Sequence, residues 1–146
     1  MPSFETPLQI TQCNCFTARK AARQISRLYD AHLQPTGLRI TQFLLMATLN
    51  ELGSAAVNEL AEHLDVESSA MGKMAGFLEH DGLVSIRPAP TDRRSRVATL
   101  TEAGRRRLEQ AEPLWQEAQR QFSEINGAEK VDELRKELRH LKYEKT

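Results

Sequence analysis

Residues 88–96 read Pro-Ala-Pro-Thr-Asp-Arg-Arg-Ser-Arg, and they join two strand-like runs, Leu83–Arg87 and Val97–Thr101. Proline and aspartate favour a turn between the runs, so the pattern predicts a β-hairpin. Three cations cluster near its tip: Arg93, Arg94 and Arg96. A hydrophobic core needs none of them, whereas a projecting basic hairpin is suited to contact phosphates or to enter a DNA groove.

Two short helices are predicted directly before the hairpin. The first, Ala56–Leu64, ends at Asp65, a residue that tolerates the left-handed conformation often needed in a tight turn. The second begins at Ser68, which can serve as its N-cap, and runs to about His80. Its apolar side is expected to hold Met71, Met74, Phe77 and Leu78. An ordinary helical hairpin would give the same pattern, but the basic hairpin that follows favours a winged helix-turn-helix.

Longer helices flank this unit. Thr11–Leu33 precedes it, and Ile40–Leu52 is apolar nearly all round, so it is expected to be deeply buried. Two more helices follow the hairpin, one from Glu102 to about Ile125 and one over Ala128–Lys142. Thr101 is a suitable N-cap for the first of them.

We therefore predict a mainly α fold with a small β-hairpin wing, in one domain over residues 1–146. The winged helix-turn-helix region covers residues 38–104, and residues 10–34 and 105–145 form N- and C-terminal dimerisation helices. The last helix carries an apolar stripe: Val131, Leu134, Leu138 and Leu141. The stripe could pack within one chain, but a homodimer is favoured because DNA readers of this kind use two half-sites.

Composition sets further bounds. The chain has 146 residues and a formal net charge of zero. Residues 85–107 nevertheless hold seven Arg against Asp92 and Glu102, a net +5, whereas residues 50–67 hold five acids and no Lys or Arg, a net −5. This separation is compatible with one basic DNA-facing surface. No apolar run is long enough to span a membrane and no secretory signal is visible, so the cytoplasm is the expected location.

Catalysis is not expected. The sequence has no nucleophile with a partnered base, no glycine-rich phosphate loop and no metal-ligand set, so we expect no enzyme, no cofactor and no metal site. The expected partner is double-stranded operator DNA. The residues expected to face it from the second short helix are Ser68, Ser69, Gly72 and Lys73. The hydroxyls and Lys73 can bond to bases or phosphates, and Gly72 allows a close approach to the groove.

Several short motifs together resemble the multiple-antibiotic-resistance regulator (MarR) family. They are Leu60-Ala61, Leu64-Asp65-Val66, Leu78-Glu79, Gly82-Leu83-Val84, Asp92-Arg93-Arg94 and Leu100-Thr101 with Gly104. The resemblance implies a homodimeric winged-helix DNA-binding protein, usually a repressor, often released by a small aromatic acid or by oxidation. It also implies that Arg94 enters the minor groove with Asp92 as its buttress. Ser68 stands where such proteins often have Arg, which leaves Lys73 as the only Lys or Arg of the recognition helix.

Two cysteines, Cys13 and Cys15, raise the question of redox sensing. Cys15-Phe16, followed by Tyr29, also resembles the organic-hydroperoxide branch of the family, in which two tyrosines hold a reactive N-terminal cysteine. The second tyrosine would fall at Ile40, which cannot donate a hydrogen bond. A buried structural cysteine is therefore favoured over a thiol-based peroxide sensor that uses Cys15 and Tyr29.

A small-molecule pocket between the dimerising helices and the DNA-binding region is the other sensing hypothesis. Its candidate lining residues are His32, Arg39, Phe43, Met46 and Met74. The expected effector is a small aromatic carboxylate or a phenol, with Arg39 as the partner of a carboxylate. A protein-interaction regulator that has lost tight DNA binding also stays open, because acidic residues outnumber Lys73 around the recognition helix.

Overall fold

The computed structural model describes residues 7–145 and forms them into six α-helices and three short strands. The helices are α1 (Asn14–Leu33), α2 (Ile40–Leu52), α3 (Val57–Leu64), α4 (Ser68–His80), α5 (Glu102–Asn126) and α6 (Ala128–His140). The strands are β1 (Ala55–Ala56), β2 (Val84–Pro88) and β3 (Arg96–Leu100). Within residues 7–145, no helix combines the length and the hydropathy that a membrane span requires.

The strands form one antiparallel sheet in the order β1-β3-β2. Strands β2 and β3 make the hairpin, with Val84 opposite Leu100 and Pro88 opposite Arg96. The predicted fold class, mainly α with a hairpin wing, is therefore confirmed. Strand β1 was not predicted, because two alanines are too short for an alternating pattern; Ala55 pairs with Ala98 only in the folded chain.

The predicted helices are confirmed, with differences at their ends. Helix α1 begins at Asn14, because Cys13 acts as its N-cap and its sulfur accepts the N–H of Phe16 at 3.4 Å. Helix α6 ends at His140 instead of Lys142. The shifts are three residues at α1 and two at α6, at helix ends where fraying and capping compete.

The turn between α3 and α4 has the geometry of a helix-turn-helix. Asp65 adopts φ = 52°, the left-handed conformation predicted for it. The prediction that Ser68 caps α4 is wrong. Glu67 occupies the N-cap position without a side-chain bond to the helix, and Ser68 is the first helical residue. The hydroxyl of Ser68 is therefore not engaged in capping.

The core surrounds α2. Its fully or nearly fully buried residues are Phe43, Leu45, Met46 and Leu49. They belong to one cluster with buried residues of the neighbouring elements, including Leu60, Met71, Leu78, Val84 and Leu100. Leu44 and Leu52 are exceptions, with 42% and 44% of their surface exposed, so α2 is not buried all round as predicted.

Phe77 does not belong to the apolar side of α4, contrary to prediction, because 67% of its surface is exposed. The helix turns Met71, Ala75 and Leu78 inward. At about 100° per residue, Phe77 lies about 100° from Leu78 and about 160° from Ala75 around the helix axis. It therefore falls outside the buried stripe.

Thr101 fastens the wing to α5. Its hydroxyl donates to the carbonyl of Gly82 at 2.7 Å and accepts the N–H of Gly104 at 3.0 Å, which confirms the predicted N-cap. The backbone of Gly104 packs tightly against Leu83: a Cβ at this position would lie 2.0 Å from the Leu83 carbonyl oxygen. Glycine at 104 is thus required by close packing between the base of the wing and α5.

The long helices pack together at the other end of the molecule. Tyr29 of α1 is buried and its hydroxyl donates to the side-chain oxygen of Gln119 in α5. On α6, Val131 is buried. Further along its apolar stripe, Leu134 and Leu138 are 44% and 52% exposed, and Leu141, directly after the helix, is 53% exposed. The single chain therefore leaves these three residues about half uncovered.

Candidate nucleic-acid interface

The tip of the wing is held by hydrogen bonds of Asp92. Its carboxylate accepts the backbone N–H of Arg94 at 3.0 Å, and its carbonyl accepts the N–H of Ser95 at 3.1 Å. The carbonyl of Ser95 in turn accepts the N–H of Ala89 at 2.8 Å, which closes the turn. Asp92 therefore orders the main chain that carries the arginines.

The three wing arginines face solvent. Arg93, Arg94 and Arg96 are all exposed, and none has a carboxylate within ion-pair distance among residues 7–145. Of the two roles expected for Asp92, to hold an arginine in position or to cap the turn, the structure shows the second, and Asp92 forms no ion pair with an arginine among residues 7–145. The positive charge at the tip is left available for a partner.

A groove of 410 Å³, the wing groove, separates α4 from the tip of the wing. Its walls are formed by Val57, Asn58, Gly72, Gly76, Glu79, Ile86, Arg94, Ser95 and Arg96. Two exposed arginines thus face a stretch of helix that carries glycine at two successive turns. A Cβ at Gly72 or Gly76 would meet no atom within 4 Å, so this side of α4 is bare and open.

The structure brings three of the predicted helix and wing residues together. Gly72, Arg94 and Arg96 share the wing groove. The other predicted positions on α4 are exposed in its first half: Ser68, Ser69 and Lys73. Gly76 was not predicted, although its spacing of four residues from Gly72 places both on the same helical face. No sequence signal marked Asn58, which reaches the groove only through the tertiary fold.

Glu79 connects the recognition helix to the wing. Its carboxylate accepts the backbone N–H of Ile86 in β2 at 3.1 Å. This bond satisfies a strand amide and fixes the spacing of α4 from the hairpin. One of the acidic residues that counted against tight DNA binding thus has a structural role.

The two thiols do not form the predicted site. Both Cys13 and Cys15 are exposed, so the prediction of a buried structural cysteine is wrong. The reason is that they lie at the first turn of α1, beyond the packed core. Tyr29 lies fourteen residues after Cys15 on the same helix, about 21 Å away along its axis. Burial raises the pKa of the Tyr29 hydroxyl, which already donates to Gln119.

Three of the five predicted ligand residues, Phe43, Met46 and Met74, lie in or against one apolar core. His32 lies beside the Leu28 carbonyl of its own helix at 3.0 Å, Arg39 is exposed, and Met46 is fully buried in the core. Met74 is half-buried and packs against the same core. Phe43 also lines an open groove.

That groove lies between α2 and α5 and has a volume of 340 Å³; we call it the α2–α5 groove. The rings of Phe43 and Trp115 stack beside it with centroids 5.9 Å apart. Its charged lining residues are Glu51 and Glu112, and it contains neither Lys nor Arg. Its chemistry is therefore apolar and acidic.

A helix-turn-helix followed by a two-stranded wing, with an open basic groove between them, defines a winged helix-turn-helix protein. The MarR family matches residues 38–95. YxaD, an uncharacterized HTH-type transcriptional regulator of Bacillus subtilis, is 32% identical over 98 residues, which cover 62% of this chain and 68% of YxaD. The M. tuberculosis transcriptional regulator MOSR, solved in complex with DNA, is 31% identical, with 89% of this chain and 100% of that chain covered and a TM-score of 0.74.

This chain belongs to the MarR family. A third relative, the HTH-type transcriptional repressor IacR of Pseudomonas putida, is 28% identical over 98 residues, which cover 66% of this chain and 59% of IacR. The chain spans between 53% and 62% of the length of several curated relatives that it matches. YxaD, MOSR and IacR are all named as transcriptional regulators or repressors.

Proposed function

We propose that this protein is a homodimeric transcriptional repressor that binds a pseudo-palindromic DNA operator. The wing groove is the observation that carries the proposal, because it sets Arg94 and Arg96 opposite the bare glycine face of α4. MOSR, the relative solved with DNA, supports DNA as the partner, and IacR, named a repressor, supports the direction of regulation.

The proposed docking places each element in its own DNA groove. The first half of α4 enters the major groove with Ser68, Ser69 and Lys73 toward the base edges. Arg94 enters the adjacent minor groove, where the negative potential is enhanced when the groove is narrow. The sugar-phosphate backbone that separates the two DNA grooves then passes through the wing groove. Arg93 and Arg96 supply the phosphate contacts beside it.

A homodimer follows from the uncovered stripe on α6. Leu134, Leu138 and Leu141 are each about half exposed, and an equivalent stripe on a second copy would remove them from water. Two copies of α4 would then read two half-sites about 34–36 Å apart. This arrangement raises affinity without further contacts in each half-site.

Binding to the chain's own upstream DNA tests the function. Fluorescence anisotropy should show tighter binding to that duplex than to an unrelated duplex of equal length, with the difference kept at raised salt concentration. Equal affinity for both duplexes, or binding to neither, contradicts an operator-binding repressor. The second result would favour a protein-interaction regulator.

Lys73→Ala is expected to weaken operator binding and to lower the slope of log K against log salt by about one. The reason is that Lys73 is the only Lys or Arg of α4 and its side chain is exposed. Titrations at several salt concentrations measure the slope. Lys136→Ala, which removes an equal charge from α6 on the side away from its apolar stripe, is the matched control and should leave the slope unchanged. Unchanged affinity after Lys73→Ala would remove Lys73 from the interface.

Release from DNA is proposed to follow binding of a small aromatic ligand in the α2–α5 groove. Helix α5 lines this groove and is fastened to the wing through Thr101, so a ligand there can act on the hairpin. The carboxylates of Glu51 and Glu112 repel a ligand that carries a negative charge. A neutral phenol therefore suits the groove better than an aromatic carboxylate.

Phenol and benzoate form a matched pair of probes for this groove. Phenol should quench the fluorescence of Trp115, the only tryptophan, and weaken DNA binding, whereas benzoate should bind poorly. Substituting both carboxylates, Glu51→Gln with Glu112→Gln, should strengthen benzoate binding several-fold, since one charge pair at 4 Å in water is worth about 1 kcal/mol. Tighter binding of benzoate than of phenol to the unmodified chain would exclude the groove as proposed.

Thiol-based sensing is a second candidate, supported by the exposure of Cys15. The distance of Tyr29 along the same helix means that any contact between them requires a second subunit. Loss of DNA binding on peroxide treatment, abolished by Cys15→Ser, would favour this candidate over a ligand in the α2–α5 groove.

A further inference from the structure

Phe77 is an exposed aromatic residue on the helix proposed to read DNA. Of its surface, 67% is exposed. Lys73, one turn earlier, is exposed as well. The two residues are about 40° apart around the helix axis and about 6 Å apart along it. Phe77 therefore shares a helical face with the cation that is proposed to point toward the operator.

The helix surface beside Phe77 is bare. Gly72 and Gly76 carry no side chain, and a Cβ at either position would meet no atom within 4 Å. The backbone of α4 can consequently approach the DNA closely on the side of the wing groove. Lys73 and Phe77 lie on the adjacent exposed face, each about 100° around the axis from the glycine that precedes it, so in the proposed docking they point toward the base edges.

The chemistry of a phenyl ring restricts what it can recognise there. Its side chain neither donates nor accepts an ordinary hydrogen bond, and covering an unpaired base donor or acceptor with it costs free energy. The major groove offers one apolar group, the C5-methyl of thymine, with which a phenylalanine can make apolar contact.

We propose that Phe77 gives the operator a preference for thymine by packing against its C5-methyl group. The proposal rests on the proposed DNA-binding function, and names one base that the recognition helix selects. It also accounts for a helix with only one Lys or Arg: apolar contact supplies discrimination that does not depend on charge.

Deoxyuridine gives a direct test, because it differs from thymidine only by the missing methyl group. The probe is a DNA duplex selected by the wild-type chain from a random pool, with each thymine replaced in turn by deoxyuridine. At the contacted position the wild-type affinity should fall about fourfold, as expected for one methyl-sized group no longer buried.

Variants of Phe77 separate a methyl contact from general loss of binding. Phe77→Ala should bind the thymine and uracil duplexes with equal affinity, and Phe77→Leu should recover part of the preference. Lys73→Ala serves as the control, since it should bind more weakly while still preferring thymine. Circular dichroism checks that the variants are folded, which the exposure of Phe77 predicts.

The outcomes distinguish the role of Phe77 from DNA binding itself. A wild-type chain that binds the selected duplex but tolerates uracil at every position overturns the role of Phe77 and leaves DNA binding intact. A thymine preference that persists in Phe77→Ala also overturns it. Failure to select any duplex overturns the proposed function itself.

Discussion

Replacing Gly104 by alanine is expected to destabilise the fold by on the order of 3 kcal/mol. The added Cβ would lie 2.0 Å from the carbonyl oxygen of Leu83 and 3.3 Å from a side-chain carbon of Leu100. The first contact is with backbone, so the segment at Leu83, just before β2, and α5 must move apart. That movement also strains the bonds of Thr101 to Gly82 and Gly104. Urea unfolding followed by circular dichroism measures the change.

Gly76→Ala is the matched control for this substitution. Gly76 is also helical, but a Cβ there would meet nothing within 4 Å, so alanine should stabilise α4 by roughly 0.5–1 kcal/mol. Opposite signs for the same chemical change would attribute the loss at position 104 to packing and not to helix propensity. A Gly104→Ala protein as stable as the wild type would mean that α5 does not pack this closely against Leu83.

Substituting Arg94 by alanine is expected to reduce operator binding by roughly 10- to 100-fold for each half-site, in line with the loss of a hydrogen bond to a charged group. Arg94 is exposed, lines the wing groove and has no carboxylate partner among residues 7–145. Its main chain is held by Asp92, so the side chain starts from a defined position. The measurement is an anisotropy titration at fixed salt concentration.

Arg105→Ala controls for the change in net charge. Arg105 lies in the first turn of α5, pairs with Glu102 at 3.8 Å and does not line the wing groove. It should retain most of the wild-type affinity. If both variants bind alike, the wing contributes only general positive charge, and the proposed minor-groove contact is wrong.

Much of the fold could be predicted because local signals and tertiary structure agree. Helix α2 has the predicted bounds, Asp65 has the predicted left-handed conformation, and Thr101 caps α5. Each of these features depends on neighbours within a few residues. Strand β1 could not be predicted, since its two alanines form a strand only by pairing with β3 in the folded chain.

The candidate site was less predictable from the sequence, because it depends on which side chains face solvent and which face the core. Phe77 is apolar and has helical spacing from Met74, yet α4 turns it to solvent. Asp92 was expected to hold an arginine in position or to cap the turn, and its carboxylate does the second by accepting the backbone N–H of Arg94. The effector residues were chosen by type along the chain; Phe43, Met46 and Met74 share the core, whereas Arg39 is exposed. The wing groove joins residues of α3, α4, β2, β3 and the wing turn, so periodicity within one element cannot reveal it.

The bond from Glu79 to Ile86 has a consequence for how an operator would be chosen. It helps to hold the recognition helix α4 at a set distance from the hairpin. In the proposed complex the DNA, and not the protein, must change shape to fit the distance between α4 and the hairpin. Sequences whose minor groove already has the matching width would cost less to deform. Such a protein would distinguish operators partly by the stiffness of the DNA and the width of its minor groove, at base pairs that no side chain contacts.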